Sequence, residues 1–304
     1  MTEPARSLLA LSRDQARAWW SRRDTDQRWL TTLATLLIAS GLFHVVVWVI
    51  SGEPWAGPVS WRKPILFGLS SGVTTLSLAW VVGLLPSSRG RAFQTRLYAV
   101  TMALEVGLIT MQRWRGVGSH FNEATVFDAT VFRVMGALIV TASVPIVIWT
   151  IAIWRRRTLR ADIRIAAGAG LAILVGGLLV GVFISVRGNF VAPGTAPSIV
   201  GRGGMAKLPH SIALHALQVL PLLGFWLAAT VRDLSRRVRA LQLAALGYVL
   251  VFAAVLAQML AGLPPTQPTA LAAALAIAGL LALGIPVAQA AIGTRPAGDT
   301  QEVG

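Results

Sequence analysis

Eight apolar runs of about 20 residues recur along this chain, and they constrain its fold more than any other feature. A run of that length spans the hydrocarbon core of a bilayer as an α-helix, because a helix rises about 1.5 Å per residue. We therefore predict an all-α membrane protein built as a bundle of about eight transmembrane helices. The predicted spans are residues 31–50, 64–86, 97–114, 132–153, 165–186, 209–231, 241–262 and 268–292.

Composition supports this fold class and excludes others. Of the 304 residues, 55% are hydrophobic and 13% are charged, whereas a soluble domain carries about 25% charged residues. The net charge of +15 raises the question of nucleic acid, but the basic residues lie in short loops and form no nucleic-acid motif. We therefore predict no nucleic-acid partner. The absence of cysteine excludes disulfides, thiolate metal ligands and cysteine nucleophiles.

The distribution of Lys and Arg predicts the orientation of the chain. With the N-terminus inside, the tails and loops on that side collect 19 of the 27 basic residues, as the positive-inside rule requires. Both termini are then cytoplasmic, in a multi-pass protein of a bacterial cell membrane (inner or plasma membrane). The predicted organisation is a basic amphipathic N-tail over 1–30 that meets membrane lipids, a single transmembrane domain over 31–292 and a disordered cytoplasmic tail over 293–304.

The stretch EVGLITMQRWRGVGSHFNEATVFD, from Glu105 to Asp128, is the clearest candidate for a functional site. Glu105 is the only carboxylate inside an apolar run, and an ionisable group at membrane depth is costly unless it has a function. Burial makes such a carboxyl group a candidate general acid or base. The sequence therefore predicts that Glu105 belongs to the site.

Polar and basic side chains gather on the predicted extracytoplasmic side, where topology does not require them. Positive charge on that side opposes the orientation bias, so it indicates binding of a phosphate or carboxylate by guanidinium groups. The alternative is that the arginines only reach toward lipid phosphates. The predicted substrate-binding residues are Arg62, Lys63, Gln112, Arg113, Arg115, Asn122, Arg187 and Gln218, and the expected ligand is an anionic or amphiphilic small molecule.

All four histidines fall in the outer half of the predicted bundle or above it. His120 and His210 join Glu105 as predicted catalytic residues. His44 and His215 are predicted to bind a metal ion, or to be the axial ligands of a b-type haem. The alternative is that each histidine is a hydrogen-bonded interfacial residue. His210 and His215 are five residues apart, which rotates their side chains by about 140°, unlike zinc ligands spaced by four.

Four short motifs together resemble those of a group of bacterial polytopic membrane proteins of uncharacterised function. They are W-R-K-P at 61–64, E…Q-x-x-R-G at 105–116, S-H-F-N at 119–122 and H-A-L-Q at 215–218. The resemblance extends over most of the chain. It implies a membrane protein and no particular reaction.

Four hypotheses about function follow. The leading one is a membrane-embedded enzyme that acts on an anionic or amphiphilic substrate, with Glu105 as general acid or base. The second is a proton-coupled transporter or exporter, with Glu105 as the coupling site and the outer arginines as an anion gate. The third is a b-type haem protein, and the fourth is a membrane protein whose polar loop binds another protein. The oligomeric state stays open.

An internal repeat would favour the transporter. The second and sixth spans both begin with a basic residue near a proline and end near a tryptophan, Trp80 or Trp226. This similarity hints at a four-plus-four repeat, but it is too loose to define a register.

Overall fold

The computed structural model describes residues 21, 23–188, 190–191 and 196–292. Helices make up 78% of the structure, and eight of those in the described ranges are long. They are α1 (Thr25–Ser51), α2 (Arg62–Gly83), α3 (Arg89–Trp114), α4 (Val126–Arg155), α5 (Ala161–Gly188), α6 (Lys207–Thr230), α7 (Leu234–Leu260) and α8 (Ala270–Ile292). Most of the predicted amphipathic N-tail, and the predicted tail over 293–304, lie outside the described residues.

Seven of these helices are long and apolar enough to cross a membrane. Large apolar side chains lie on their outer surfaces: Ile50 is 80% exposed, Leu281 is 65% exposed and Leu36 is 63% exposed. Soluble monomers do not expose apolar surface on this scale, whereas a lipid-facing surface requires it. The chain is therefore a helical, multi-pass integral membrane protein, as the sequence predicted. The remaining long helix, α3, carries three arginines in its first half and is not among these seven. The count of eight spans and the orientation of the chain therefore stay predictions.

Polar residues in the loops define where the helices begin. The Asp24 side chain accepts a hydrogen bond from the backbone N–H of Gln27, whose own side chain returns a bond to the backbone of Asp24, so α1 starts with a capping box. At α3 and α7 the cap is a single bond. The Ser88 side chain accepts from the backbone N–H of Arg91, and the Asp233 side chain accepts from the backbone N–H of Ser235. These caps explain why α1, α3 and α7 begin several residues before the apolar runs themselves.

The chain forms two compact units, which divide between Pro145 and Ile146. In the first unit, α1 and α2 cross where Gly41 meets Gly68, and α3 packs against both helices. A methyl group added at Gly68 would lie 2.8 Å from the Gly41 Cα atom. In the second unit, α5 and α6 cross where Gly177 meets Ala213. Small residues thus allow the helix backbones to approach closely, as is usual inside membranes.

The second unit also contains a short hairpin, which departs from the purely helical prediction. Strand β1 (Ile199–Val200) pairs antiparallel with β2 (Gly204–Met205) in the glycine-rich segment before α6. Gly201 has a φ of 55° at the turn, a left-handed conformation that glycine adopts without strain.

Three helices of the first unit, α1 to α3, have counterparts in α5 to α7 of the second unit, and the sequence offset between equivalent residues grows along the chain from 136 to 146. Counting 136 residues on from Asp26 and Gly41 reaches Asp162 and Gly177. In α2, the offset is 145 residues, so that Pro64 and Gly68 correspond to Pro209 and Ala213 in α6. In α3, the offset is 146 residues, so that Arg91 and Gln112 correspond to Arg237 and Gln258 in α7. Trp80 corresponds to Phe225 in this register and not to Trp226, which is why the sequence alone left the repeat undefined.

Equivalent residues make equivalent contacts in the two units. Arg91 forms an ion pair with Asp26 at 2.8 Å, and Arg237 forms one with Asp162 at 3.3 Å. At the other end of the third helix, Gln112 binds the start of α4, while Gln258 binds backbone groups of the loop before α8. Helices α1–α3 and α5–α7 therefore form a repeated three-helix core, whereas the fourth helices differ, since α8 packs along α7 and α4 makes no comparable contact with α3.

The close crossing of α1 and α2 yields a first prediction. Gly68→Val places its side chain against the Gly41 backbone, and overpacking of this kind costs about 1–3 kcal/mol of unfolding free energy. We expect a clearly lower thermal unfolding midpoint for the purified protein in detergent. Gly107→Val is the matched control, since nothing lies within 4 Å of a methyl group there. Equal midpoints for the two variants would contradict the crossing.

Candidate functional site

One face of α3 carries polar side chains along the whole length of the helix. The buried residues of α3 recur every three or four positions, as they must on one face of a helix. The polar members of this series are Arg91, Thr95, Tyr98, Thr101, Glu105, Gln112 and Arg113. Because α3 packs against α1 and α2, this face lies inside the first unit.

Glu105 is the acidic residue on this face, and no protein group compensates it. Its side chain is 3% exposed, and its Oε2 atom is buried without a hydrogen-bond partner. No ion pair to Glu105 occurs among the described residues. By helix rise, Glu105 lies roughly 14 Å from the Trp114 end of α3 and roughly 24 Å from the Arg89 end. Because a buried, unpaired carboxylate costs several kcal/mol, this placement indicates a function and not a structural need.

An apolar cluster separates Glu105 from the C-terminal end of α3. Ile109 lies one turn beyond Glu105 and packs against Val131 and Met135 of α4, all three of them buried. Phe67, Leu108 and Met111 surround this cluster. Water and ions therefore meet an apolar barrier on this side of Glu105.

Hydroxyl groups occupy the same face in the opposite direction from Glu105. The Thr75 hydroxyl of α2 donates to the Ser71 carbonyl at 2.6 Å, so the Tyr98 hydroxyl is the donor in the 2.9 Å bond between Tyr98 and Thr75. Thr95 lies nearer the start of α3, and its hydroxyl oxygen is buried without a hydrogen-bond partner. The region between Glu105 and the start of α3 is therefore polar.

Arg91 closes this face at the start of α3. Its guanidinium group donates to Asp26 at 2.8 Å and to Asp24 at 2.7 Å, and also to the Ser87 hydroxyl and to the carbonyl groups of Val82 and Leu85. Two carboxylates thus face one guanidinium. The Asp24 side chain remains 35% exposed, so the cluster is in contact with solvent.

At the other end of α3, Asp128 binds two of the residues predicted to bind substrate. It accepts hydrogen bonds from Gln112 at 3.0 Å and from Arg115 at 2.7 Å, and the Arg115 guanidinium also donates to Gln112. Thr125 donates to the second carboxylate oxygen of Asp128 at 2.9 Å. This cluster ties the end of α3 to the start of α4, and it compensates the charge of Arg115.

A second cluster at this end of α3 forms around Arg113 and two tryptophans. Arg113 forms an ion pair with Glu53 in the loop after α1, and its guanidinium lies 3.9 Å from the Trp61 ring centroid. Trp61 packs edge-on against Trp114, with centroids 5.0 Å apart, and stacks with His44 at 5.7 Å. The end of α1, the start of α2 and the end of α3 are thereby fixed to one another.

Both ring nitrogens of His44 are already engaged within this cluster. Nδ1 lies 2.7 Å from the Ser40 carbonyl oxygen and must donate to it. Nε2 then accepts the indole N–H of Trp114 at 3.1 Å. Because neither nitrogen keeps a free lone pair, this arrangement gives no support to a metal or haem role for His44. Within the described residues, no group of three or more His, Asp or Glu side chains is placed to bind a metal.

The remaining predicted residues of the first unit have separate surroundings. His120 hydrogen-bonds through Nδ1 to the Ser119 hydroxyl at 2.9 Å, and Asn122 donates to the Gly118 carbonyl and so shapes the loop. Arg62 and Lys63 lie half-buried at the start of α2. Arg62 has no hydrogen bond or ion pair with any residue in the described part of the chain. Glu105 does not hydrogen-bond to His120.

The predicted site residues of the second unit also lie in separate local environments. His210 lies against Gly181, and its Nδ1 is 2.7 Å from the Gly177 carbonyl, so the G-x-x-x-G face of α5 accommodates its ring. His215 lies on the exposed face of α6, away from His210, as the five-residue spacing implies. Arg187 donates to the Ile199 carbonyl in β1 at 3.0 Å. Gln218 lies half-buried on α6.

Four residues of the first unit were not singled out from the sequence: Glu53, Thr75, Tyr98 and Asp128. The T-x-x-D pattern from Thr125 to Asp128 is a capping signal that marks the start of α4, but it does not reveal the contacts with Gln112 and Arg115. No sequence pattern brings Thr75 to Tyr98, because they lie on different helices.

Comparisons with models of known protein families, with curated proteins and with solved structures find no match to this chain. The functional argument therefore rests on the site itself.

The Asp128 cluster yields a second prediction. Asp128→Ala removes the acceptor of three side-chain hydrogen bonds and leaves the charge of Arg115 uncompensated, so we expect the thermal unfolding midpoint to fall by several degrees. Glu123→Ala is the matched control, because Glu123 is exposed in the same loop. The cluster would have no structural importance if both variants unfolded at the wild-type temperature.

Proposed function

We propose that this chain is a proton-coupled membrane transporter for a small anionic or amphiphilic solute, with Glu105 as the residue that binds the coupling proton. The observation that carries the proposal is the buried carboxyl group of Glu105, which no cation or hydrogen-bond donor compensates. A carboxyl group in this position is stable when it holds a proton, and it becomes costly when it loses one. A transporter uses such a difference to link proton binding to a conformational change.

Two further features support a transporter. The repeated three-helix core, α1–α3 and α5–α7, is an internal repeat of the kind on which many secondary transporters are built. The outer end of α3 is held by two ion pairs, Arg113 with Glu53 and Arg115 with Asp128. Ion pairs of this kind suit a gate, since an anionic solute competes with the two carboxylates for the arginines. In this proposal the outer arginines act as the gate, as the sequence hypothesis stated.

The proposal includes eight membrane spans with both termini in the cytoplasm of the cell. Helix α3 is the eighth span, because its polar face is turned toward α1 and α2 and its apolar side chains, such as Leu104 and Val100, are exposed. The basic loops then lie inside, in agreement with the positive-inside rule. The end of α3 near Arg91 is cytoplasmic, and the end near Trp114 is extracytoplasmic.

The native absence of cysteine makes this topology testable without background. We expect a single cysteine at Glu123 to react with a membrane-impermeant maleimide on intact cells, whereas a single cysteine at Arg89 reacts only after the membrane is opened. Both positions are exposed in the structure, so accessibility within the protein is matched. Labelling of both positions from the same side would show that α3 does not span the membrane.

A membrane-embedded enzyme is the second candidate, and one contact favours it. The Ser119 hydroxyl lies 2.9 Å from Nδ1 of His120, which is the contact between a nucleophile and a base. Aromatic rings surround His120, with Phe67 at 5.6 Å between centroids. Covalent labelling of Ser119 by a fluorophosphonate probe would promote this candidate over the transporter.

The coupling role of Glu105 is tested in proteoliposomes that contain a trapped pH-sensitive dye. Phosphate, a monocarboxylate or a dicarboxylate is added outside under an imposed potential, and proton entry is recorded. We expect one of these anion classes to accelerate proton entry through the wild-type protein, and Glu105→Gln to abolish the acceleration because the amide cannot carry a proton. Glu123→Gln, the matched control, should behave as wild type. Proton entry that never exceeds that of empty liposomes, or that persists in Glu105→Gln, would contradict the proposal.

A further inference from the structure

We propose that the proton reaches Glu105 from the Arg91 end of α3, and that the hydroxyl pair of Tyr98 and Thr75 relays it. This inference rests on the proposed function in assigning the bound proton to Glu105. It adds the route, the residues that form it and the side of the protein from which Glu105 is accessible in this conformation.

The chemistry of the pair suits a relay. A hydroxyl group both donates and accepts a hydrogen bond, so it can take up one proton while it releases another. Tyr98 donates to Thr75, and both side chains are fully buried between α2 and α3. When a proton joins the Tyr98 oxygen, the original Tyr98 proton moves to the Thr75 oxygen, and the Thr75 proton turns from the Ser71 carbonyl and leaves toward Glu105 through water. Each oxygen thus breaks one O–H bond as it forms another. The phenol is therefore regenerated, and no group is oxidised or reduced.

Further polar atoms extend the route on both sides of the pair. The hydroxyl oxygen of Thr95 is buried without a protein partner toward Arg91, as is Oε2 of Glu105 in the other direction. By helix rise, Tyr98 lies roughly 10 Å from Glu105 and roughly 4 to 5 Å from Thr95 along α3. Buried polar atoms of this kind are usually satisfied by ordered water, and the proposed route uses water between Tyr98 and Glu105.

The route continues in only one direction from Glu105. Toward Trp114, the apolar cluster of Ile109, Val131 and Met135 interrupts the polar face. Beyond that cluster, the ion pairs of Arg113 and Arg115 close the outer end. Toward Arg91, the face carries hydroxyl groups and ends in a cluster of two carboxylates and one guanidinium. The partly exposed Asp24 and the excess negative charge of that cluster attract protons from the adjacent solvent.

The second unit shows that the fold does not require these polar groups. The scaffold contacts recur in both units, whereas the hydroxyl-bearing positions and Glu105 do not. In the register of the repeat, Thr75 corresponds to Leu220, and Thr95, Tyr98, Thr101 and Glu105 correspond to Leu241, Ala244, Gly247 and Val251. Since the same three-helix arrangement forms with apolar residues there, the polar series of the first unit has a role other than packing.

The other charged and titratable groups of this unit lie toward the ends of the helices around α3. Asp26 and His44 are on α1, Arg62 and Lys63 are at the start of α2, and Asp128 and Arg133 are in the first turns of α4. Asp26 is paired with Arg91 and Asp128 with Arg115, while both nitrogens of His44 are engaged. None of them hydrogen-bonds to Glu105, so the proton on Glu105 has no competing acceptor among them.

The experiment follows proton access to Glu105 directly, without a transport assay. The full chain in detergent is moved rapidly from H2O to D2O, and the carboxylic acid C=O band of Glu105 is followed by infrared spectroscopy. Its loss in Glu105→Gln identifies the band. We expect Tyr98→Phe and Thr75→Val each to slow the deuterium shift of this band at least tenfold, because each removes one hydroxyl group of the relay.

Tyr248→Phe is the matched control. Tyr248 is a buried tyrosine of the second unit that donates to the Ile212 carbonyl of a neighbouring helix at 2.7 Å, so its loss costs a comparable hydrogen bond. We expect exchange at Glu105 to stay within about twofold of wild type in this variant. Two variants on the relay keep the test valid if one of them fails to fold.

The possible results separate the route from the proposed function. Wild-type exchange rates in Tyr98→Phe or Thr75→Val would overturn the route, while proton flux that depends on Glu105 would still support the transporter. Slowed exchange together with no proton flux in liposomes would support the route and contradict the transporter. If Glu105→Gln removes no carboxylic acid band, Glu105 holds no proton, and both proposals fail.

Discussion

The hydrocarbon core of a bilayer offers no hydrogen-bond partners, so the polar groups of a membrane-spanning helix depend on the protein and on any water enclosed within it. This constraint accounts for most of the polar contacts in the first unit. All the donors of Arg91 are directed at carboxylates, a hydroxyl group and carbonyl groups, and Gln112 and Arg115 share Asp128. Glu105 is the acidic residue that departs from this rule in the described part of the chain, with a buried carboxylate oxygen that no protein group satisfies. The proposed function follows from that one departure.

The tandem repeat separates the residues that build the fold from those that are specific to one unit. The ion pair of Asp26 with Arg91 recurs as Asp162 with Arg237, and the glycine crossing of α1 with α2 recurs between α5 and α6. Tyr98 and Glu105 have no polar counterpart. A residue that one copy of the unit lacks, without loss of the helix packing, is free to carry function. The comparison of the two units thus distinguishes residues that the fold requires from residues that are specific to one unit.

The outer arginines illustrate how pairing changes the meaning of a charge. From the sequence alone, Arg113 and Arg115 are positive charges on the predicted extracytoplasmic side, where the positive-inside rule disfavours them. That placement suggested a site for an anion. In the structure each is paired with a carboxylate, Glu53 or Asp128, and each also packs on an aromatic ring. Their charge is therefore balanced before any solute binds. In the proposed transport function, an anion has to displace a carboxylate, as at a gate and not as at an open binding site.

The sequence by itself determined that this is a helical membrane protein, where its helices lie and which carboxylate is out of place. Hydropathy and helix length are local properties, so Glu105 in an apolar run could be recognised without a fold. Tertiary structure alone decided the partners. It placed Tyr98 against Thr75, and it used both nitrogens of His44 for hydrogen bonds. It also placed Ile109 as an apolar barrier. These contacts join residues on different helices, and their register depends on small-residue crossings such as Gly41 with Gly68, which no local pattern specifies.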